Sequence, residues 1–209
     1  MTLLFIFDMD HVLYDYDWRT RMDAMTTITG LSAEEMRERW WLAGHEWAAE
    51  AGVFRTGEEY LAAFEAAMGV TISEQQWVSA RGAAMTPWPE SIAAVTRASE
   101  LGQITLLTNN GALVGKHLAA LAPALAPLFG EHLLTSSAYG ARKPNPEVFE
   151  NVLARYGVAA EDAFFADDLI ENIAGARSVG ITAHHFTGSA GMLQAIEEFA
   201  AARESSVPA

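Results

Sequence analysis

Residues 3–10 read Leu3-Leu4-Phe5-Ile6-Phe7-Asp8-Met9-Asp10. Five apolar residues in succession, without polar alternation, are the pattern of a strand buried on both faces of a parallel sheet. Two carboxylates follow it at alternate positions. Similar apolar runs recur at 104–107, 163–166 and 181–184, with a weaker one at 132–134. The intervening stretches 90–101, 112–121, 146–156 and 170–179, and a last one at 189–203, carry helical periodicity. Short buried strands alternating with helices predict a doubly wound α/β sheet. Ligands of such sheets sit outside the carboxyl ends of the strands. Here those ends carry Asp8, then Thr108 and Asn109, then Asp167 and Asp168.

Residues 16–86 interrupt the alternation. They show helical periodicity and no strand pattern, with Trp40, Trp41, Trp47 and Trp77 among them. Gly30, Gly52, Gly57 and Gly69 mark turns between about four helices. Thr86-Pro87-Trp88-Pro89 then reads as a stiff return to the sheet. The expected organisation is a core of residues 1–15 and 87–209 with a helical cap, 16–86, over the strand ends. The tail 204–209 is expected to fray.

Composition narrows the partners. The chain has 209 residues, a formal charge of −14 and no cysteine. Nucleic-acid binding needs clustered cations, so this charge argues against it. No apolar run reaches the length of a membrane span, and the apolar start lacks the basic lead of a signal peptide. Absence of cysteine rules out disulfides and thiolate metal sites and suits a reducing cytoplasm. An acidic protein repels anionic substrates at long range, so a phosphate ester would need local cations, which turns attention to Lys143 and a divalent metal.

Each acidic cluster has a plain reading as a turn or a helix cap. Together they support chemistry. Asp8 and Asp10 past a buried strand are costly unless used, and a divalent cation lowers that cost. Asp8 is placed to attack phosphorus, while Asp10 can protonate the leaving oxygen and later deprotonate water. The run Thr108-Asn109-Asn110-Gly111, between a strand and a helix, offers a hydroxyl and main-chain amides to a phosphate. Lys143, framed by Pro144 and Pro146, is a compact cation for the phosphate or for the Asp8 carboxylate. Asp167 and Asp168 can both reach one cation at a strand-to-loop junction, and Asn172 can orient them.

With these residues in place, the sequence resembles the haloacid dehalogenase-like hydrolases. Four motifs match in order: Phe7-Asp8-Met9-Asp10, Thr108-Asn109, Lys143-Pro144, and Asp167-Asp168 with Asn172. The cap between the first two resembles the family's first helical type, and the fourth motif is similar to that of bacterial sugar-phosphate phosphatases and of the phosphatase domain of soluble epoxide hydrolase. The resemblance implies a magnesium-dependent phosphatase acting on a small phosphorylated metabolite. Asp8 would form an aspartyl-phosphate. Asp10 would be acid and base and would bind magnesium through its main-chain carbonyl. Thr108 and Asn109 would hold phosphate oxygens, Lys143 would balance charge, and Asp168 would be a metal ligand beside Asp8. Asp167 and Asn172 would support that ligand set from behind. The dehalogenase branch lacks a second aspartate, because halide leaves without a proton, so Asp10 favours the phosphatases. A receiver domain has its acidic pair before the phosphorylated aspartate, the reverse of this order. An inactive binding module would be expected to have lost Asp8, Asp10, Lys143 or Asp168, and all four are present. His11 departs from the Gly or Asn common in relatives and is read as a polar neighbour of the site. Of Trp40, Trp41, His45 and Trp47, most are expected in the cap core and one or two at the substrate.

Overall fold

The computed structural model describes residues 2–205; the last four positions of the expected tail lie outside the described residues. Strand β1 (Leu4–Phe7) is fully buried and lies between β4 (Gln103–Leu106) and β5 (Ala163–Asp167), with β6 (Thr182–His185) beyond β5. All three pairings are parallel. Side chains of a strand point alternately to the two faces. Phe5 and Phe7 therefore enter one core, with Leu106, Phe164 and Ala166, and Leu4 and Ile6 enter the other, with Phe165 and Leu107. Helices α6 (Pro89–Leu101), α7 (Ala112–Leu121), the short α8 (Ala126–Phe129) and α11 (Ser189–Glu204) cover the first face. Helices α9 (Pro146–Tyr156) and α10 (Ile170–Ser178) cover the second. This is the doubly wound arrangement, and the long helices fall within a residue or so of their expected limits.

Register places the site. Phe7 pairs with Leu106 on one side and Ala166 on the other. The residues that follow, Asp8, Leu107-Thr108 and Asp167, therefore leave the sheet at one level.

Three features differ from the sequence reading. No strand forms at 132–134: a 3-10 turn occupies Gly130–His132, the His132 carbonyl accepts from Thr105 Oγ1 of β4 at 3.2 Å, and beyond it Thr135 forms a bridge with Thr108. The 3-10 turn that opens at Gly130, φ 52°, takes up His132, so the stretch enters as a turn and not as extended chain alongside β4. Second, two short strands, β2 (Tyr14–Tyr16) and β3 (Met85–Pro87), pair antiparallel at the two ends of the helical stretch. Three residues are too short to show a period. Third, the insertion holds α1 (Trp18–Thr29), α2 (Ala33–Met36) running into a π-helical turn (Arg37–Leu42), α3 (His45–Glu50), α4 (Gly57–Met68) and α5 (Glu74–Gly82). That is five α-helical segments where four were expected. Asp17, Ser32, Thr56 and Ser73 cap them by accepting main-chain N–H groups, with Glu35 and Gln76 closing reciprocal boxes. Such caps typically stabilise by about 1 kcal/mol each. Gly30 and Gly69 end helices in the left-handed conformation a Cβ would disfavour. The insertion's own core is aromatic: Trp40 and Trp77 are buried against Tyr60, and Phe64 packs on Trp40.

Candidate active site

The strand ends converge on Lys143. It sits in the loop before α9 with 1% of its side chain exposed, and its Nζ lies 2.8 Å from Asp8 Oδ1 and 2.6 Å from Asp167 Oδ2. Asn172, on α10, donates to both oxygens of Asp167 at 2.9 and 3.0 Å, and the Leu169 N–H donates to Oδ1 at 2.8 Å. Every oxygen of Asp167 is thus occupied by a donor from this chain. Two buried carboxylates share one ammonium, an arrangement in which the hydrogen bonds must offset the desolvation of all three ions. Burial pushes the Asp8 carboxyl up to about 8 against the pull of Lys143. Burial opposes the charge on Lys143, yet Asp8 and Asp167 raise its pKa above the ordinary lysine value. Burial also raises Asp168, with Asp167 adding to it.

One carboxylate oxygen each from Asp8, Asp167 and Asp168 lies within 4.8 Å of the others. A hard divalent cation takes oxygen ligands of this kind, and it would relieve a carboxyl held near 8 by burial. The donor set therefore fits magnesium.

The loop after β4 is built around the same lysine. Asn109 donates through Nδ2 to the Lys143 carbonyl and accepts the Lys143 N–H at Oδ1, both at 2.9 Å. Its side chain is thereby committed to holding the lysine loop. Thr108 is buried and its hydroxyl accepts from Asn110 Nδ2 at 2.8 Å, which leaves the hydroxyl proton to donate elsewhere. A cavity of about 170 Å³ joins Asp8, Asp10, Thr108, Asn109, Lys143 and Asp168. His11 lines it too, half-exposed, with φ at 60°. That left-handed backbone explains why Gly or Asn suits the position.

Asp10 lines the same cavity but pairs with the insertion and not with Lys143. Arg81, near the end of α5, donates to Asp10 Oδ2 at 2.5 Å across 71 residues of sequence. A second cavity, of about 150 Å³, shares Asp10 and Asn109 with the first and continues under the insertion. Arg21, Arg81, Glu46, Glu50, Trp41 and Trp47 line it. Trp47 is exposed at its mouth, whereas Trp40 is core and stacks on His45. Arg21 and Arg81, with Glu46 and Glu50, are the site residues that sequence reasoning missed. No local motif marks them; their only signal is a charged residue recurring among the aromatics of an amphipathic helix.

A family model described as haloacid dehalogenase-like hydrolase matches residues 2–180. A relative from Mycobacterium tuberculosis, Phosphatase MT3486, is 29% identical over 184 residues, covering 86% of this chain and 84% of its own. Among solved structures, the enzyme bt-2542 of Bacteroides thetaiotaomicron, described as a complex with magnesium and inorganic phosphate, is similar at a TM-score of 0.70 and 20% identity. That match covers 88% of this chain and 93% of the other. The L-2-haloacid dehalogenase of Xanthobacter autotrophicus is similar at a TM-score of 0.58 and 18% identity, covering 88% and 76%.

Proposed function

The chain belongs to the haloacid dehalogenase-like hydrolase family, and from that premise we propose that it is a magnesium-dependent phosphatase of small, polar phosphate monoesters. The observation that carries this reading is the buried Lys143 bridging Asp8 and Asp167, with Asp168 beside them. The phosphatase name of the mycobacterial relative agrees with it. Asp8, Asp168 and the main-chain carbonyl of Asp10 would hold magnesium, while Asp167 stays with Lys143 and Asn172. The ion, when bound, supplies positive charge that offsets the repulsion between these carboxylates and a phosphate dianion.

Asp8, its carboxylate fixed by Lys143, attacks phosphorus as the bond to the leaving oxygen breaks. Asp10 gives that oxygen its proton, then takes one from the water that hydrolyses the aspartyl-phosphate and frees inorganic phosphate. Thr108 donates its hydroxyl proton to a phosphate oxygen. The insertion, read as a cap, keeps bulk water from the intermediate. The second cavity takes the leaving group, with arginine N–H donors, glutamate acceptors and indole faces. Hydroxyl groups both donate and accept, so a compact hydroxylated group such as a sugar suits it better than a long apolar one. Among the described residues no single helix is long and apolar enough to cross a membrane, and a cytoplasmic metabolite is the substrate class we favour.

Hydrolysis of an aryl phosphate with magnesium and with excess chelator tests the reaction, and a panel of phosphorylated metabolites tests the substrate. Full activity in chelator would overturn the metal's role. Preference for long-chain alkyl phosphates over sugar phosphates would overturn the leaving-group assignment.

A further inference from the structure

Arg81 is 2% exposed, and a buried guanidinium is costly unless a counter-charge lies close. Among the described residues its one ion-pair partner is Asp10, which lies on the sheet side of the site. The Tyr16 ring supports the guanidinium from below, its centroid 3.9 Å from Cζ. A planar, delocalised cation held by a ring on one side and a carboxylate on the other has little freedom to turn. The effect reaches Asp10. Its Oδ2 is taken by Arg81, and its Oδ1 is buried and has no hydrogen-bond partner among the described residues. Asp10 stands where the phosphate cavity meets the leaving-group cavity, since it lines both. That junction is where a proton must pass to the leaving oxygen.

We propose that Arg81 is a positioning residue for the acid–base steps: it grips Asp10 by Oδ2 and so fixes that carboxylate where the two cavities meet. The proposal rests on the phosphatase reading above for its kinetic consequences. In the first step the proton of Asp10 moves to the leaving oxygen as its bond to phosphorus breaks. In the second, Asp10 takes a proton from water as the water oxygen bonds phosphorus and the bond to Asp8 breaks. Arg81 gives and takes no proton, because a guanidinium is not deprotonated in a protein. Arg81 belongs to the insertion and Asp10 to the segment after β1, so acid–base competence depends on the insertion being docked. Closure and catalysis are thereby linked through one ion pair.

Single-turnover phosphorylation of Asp8 tests this, comparing an activated aryl phosphate with a simple alkyl phosphate in wild type, Arg81→Gln and Arg81→Lys. Positioned proton transfer is typically worth about 100- to 10,000-fold, and misplacement forfeits part of it. Arg81→Gln should slow the alkyl ester about 10- to 100-fold and the aryl ester less than about threefold, with KM for both nearly unchanged. Arg81→Lys should recover part of the alkyl rate. Equal losses on both esters, or a raised KM with an intact rate, would overturn the proposal by showing a structural or substrate-binding role. If Arg81→Gln fails to fold, the same ratios in Arg81→Lys, which keeps the charge but loses the fork, decide the matter. Crystal structures of wild type and variant form a second arm that needs no activity: Asp10 should change rotamer, and an unmoved carboxylate would overturn positioning outright. A wild type inactive on every ester would sink the phosphatase reading and leave the crystallographic arm to judge Arg81.

Discussion

At the strand ends, the buried charges Asp8, Lys143 and Asp167 touch one another. In the insertion, Arg21 lies among the rings of Trp18, Trp41 and Trp77, donates to the Tyr16 hydroxyl at 2.8 Å, and, among the described residues, has no carboxylate within 4.0 Å. Glu46 likewise takes neutral donors, the Trp40 indole at 2.5 Å and the Tyr60 hydroxyl at 2.9 Å. The two regions thus bury charge by different means. Strand register delivers Asp8 and Asp167 to one level, where the Lys143 ammonium bridges them. Helix packing sets Arg21 and Glu46 among aromatic rings, where neutral hydroxyl and indole groups are their hydrogen-bond partners. On the function proposed above, the first arrangement carries the reaction and the second lines the cavity for the leaving group.

The largest expected effect lies in the first region. Asp8→Asn should lower turnover about 10,000-fold or more, because no other group at that level can form the covalent intermediate. Intact-protein mass after acid quench should show no phosphate adduct on Asp8→Asn, while Asp10→Asn should accumulate one and turn over about 100- to 10,000-fold slower. An adduct that survives in Asp8→Asn would mean that the reactive region has been misidentified. The contrast in buried charge is tested next. Lys143→Met strands Asp8 and Asp167 and should cost about 3–5 kcal/mol. Arg21→Met strands no carboxylate in contact and should cost only about 1–2 kcal/mol, from lost cation–π and packing. Urea denaturation of metal-free protein measures both, and equal costs would break the distinction.

The same contrast explains what could be read from sequence. The strands were legible because burial on both faces writes a continuous apolar run, as in Leu4–Phe7. Residues at their ends were legible because Asp8, Thr108 and Asp167 are each one or two positions past such a run. The run at 132–134 misled because a stretch as short as His132-Leu133-Leu134 looks alike whether it extends or turns. Arg81 and Glu46 gave no warning. Their meaning lies in partners on other helices or across 71 residues, as with Arg81 and Asp10, and that pairing follows from tertiary packing and not from any local period. The motif points to Asn109 as a holder of phosphate oxygens, while its grip on the Lys143 main chain is visible only in three dimensions.

A smaller effect is expected where the two regions meet. Glu50, at the end of α3, is paired with Arg142, Nε donating at 2.6 Å, next to the Lys143 loop. Burial nonetheless pushes Glu50 up to about 7 from the ordinary glutamate value of 4.5. A carboxyl raised on folding binds its proton more tightly in the folded state. Its stabilising contribution is therefore complete below about 4.5 and is lost as pH rises to about 7. Glu50→Gln lacks that titration. Relative to wild type it should gain on the order of 2 kcal/mol between pH 5 and pH 8. Urea midpoints at the two pH values, in chelator, give the difference; Asp8 titrates in both proteins and cancels. A gap between variant and wild type that does not change with pH would place Glu50 in water.

The smallest effect belongs to His11, in the turn that leads from β1 toward the insertion. Its φ of 60° places an L-residue in the left-handed region, which costs roughly 1–2 kcal/mol for a residue with no compensating local hydrogen bond. Histidine and asparagine both tolerate this region better than most. His11→Asn should therefore be neutral or stabilise by up to about 0.5 kcal/mol, because its short amide can bond locally. His11→Gly removes the Cβ clash but frees the unfolded chain, two terms of opposite sign that leave it within about 0.5 kcal/mol of wild type. His11→Ala keeps the Cβ and loses any local bond, so it should be the least stable of the set, by about 1 kcal/mol against Gly. The order Asn, Gly, Ala in urea midpoints is what a backbone cause predicts, since the ring itself is half-exposed and its nearest carboxylate, Asp15, is 4.0 Å away. If Ala equals Asn, the turn carries no strain. His11 would then owe its place to the cavity that it lines with Asp8 and Asp168, and a change in KM across the same variants would show it.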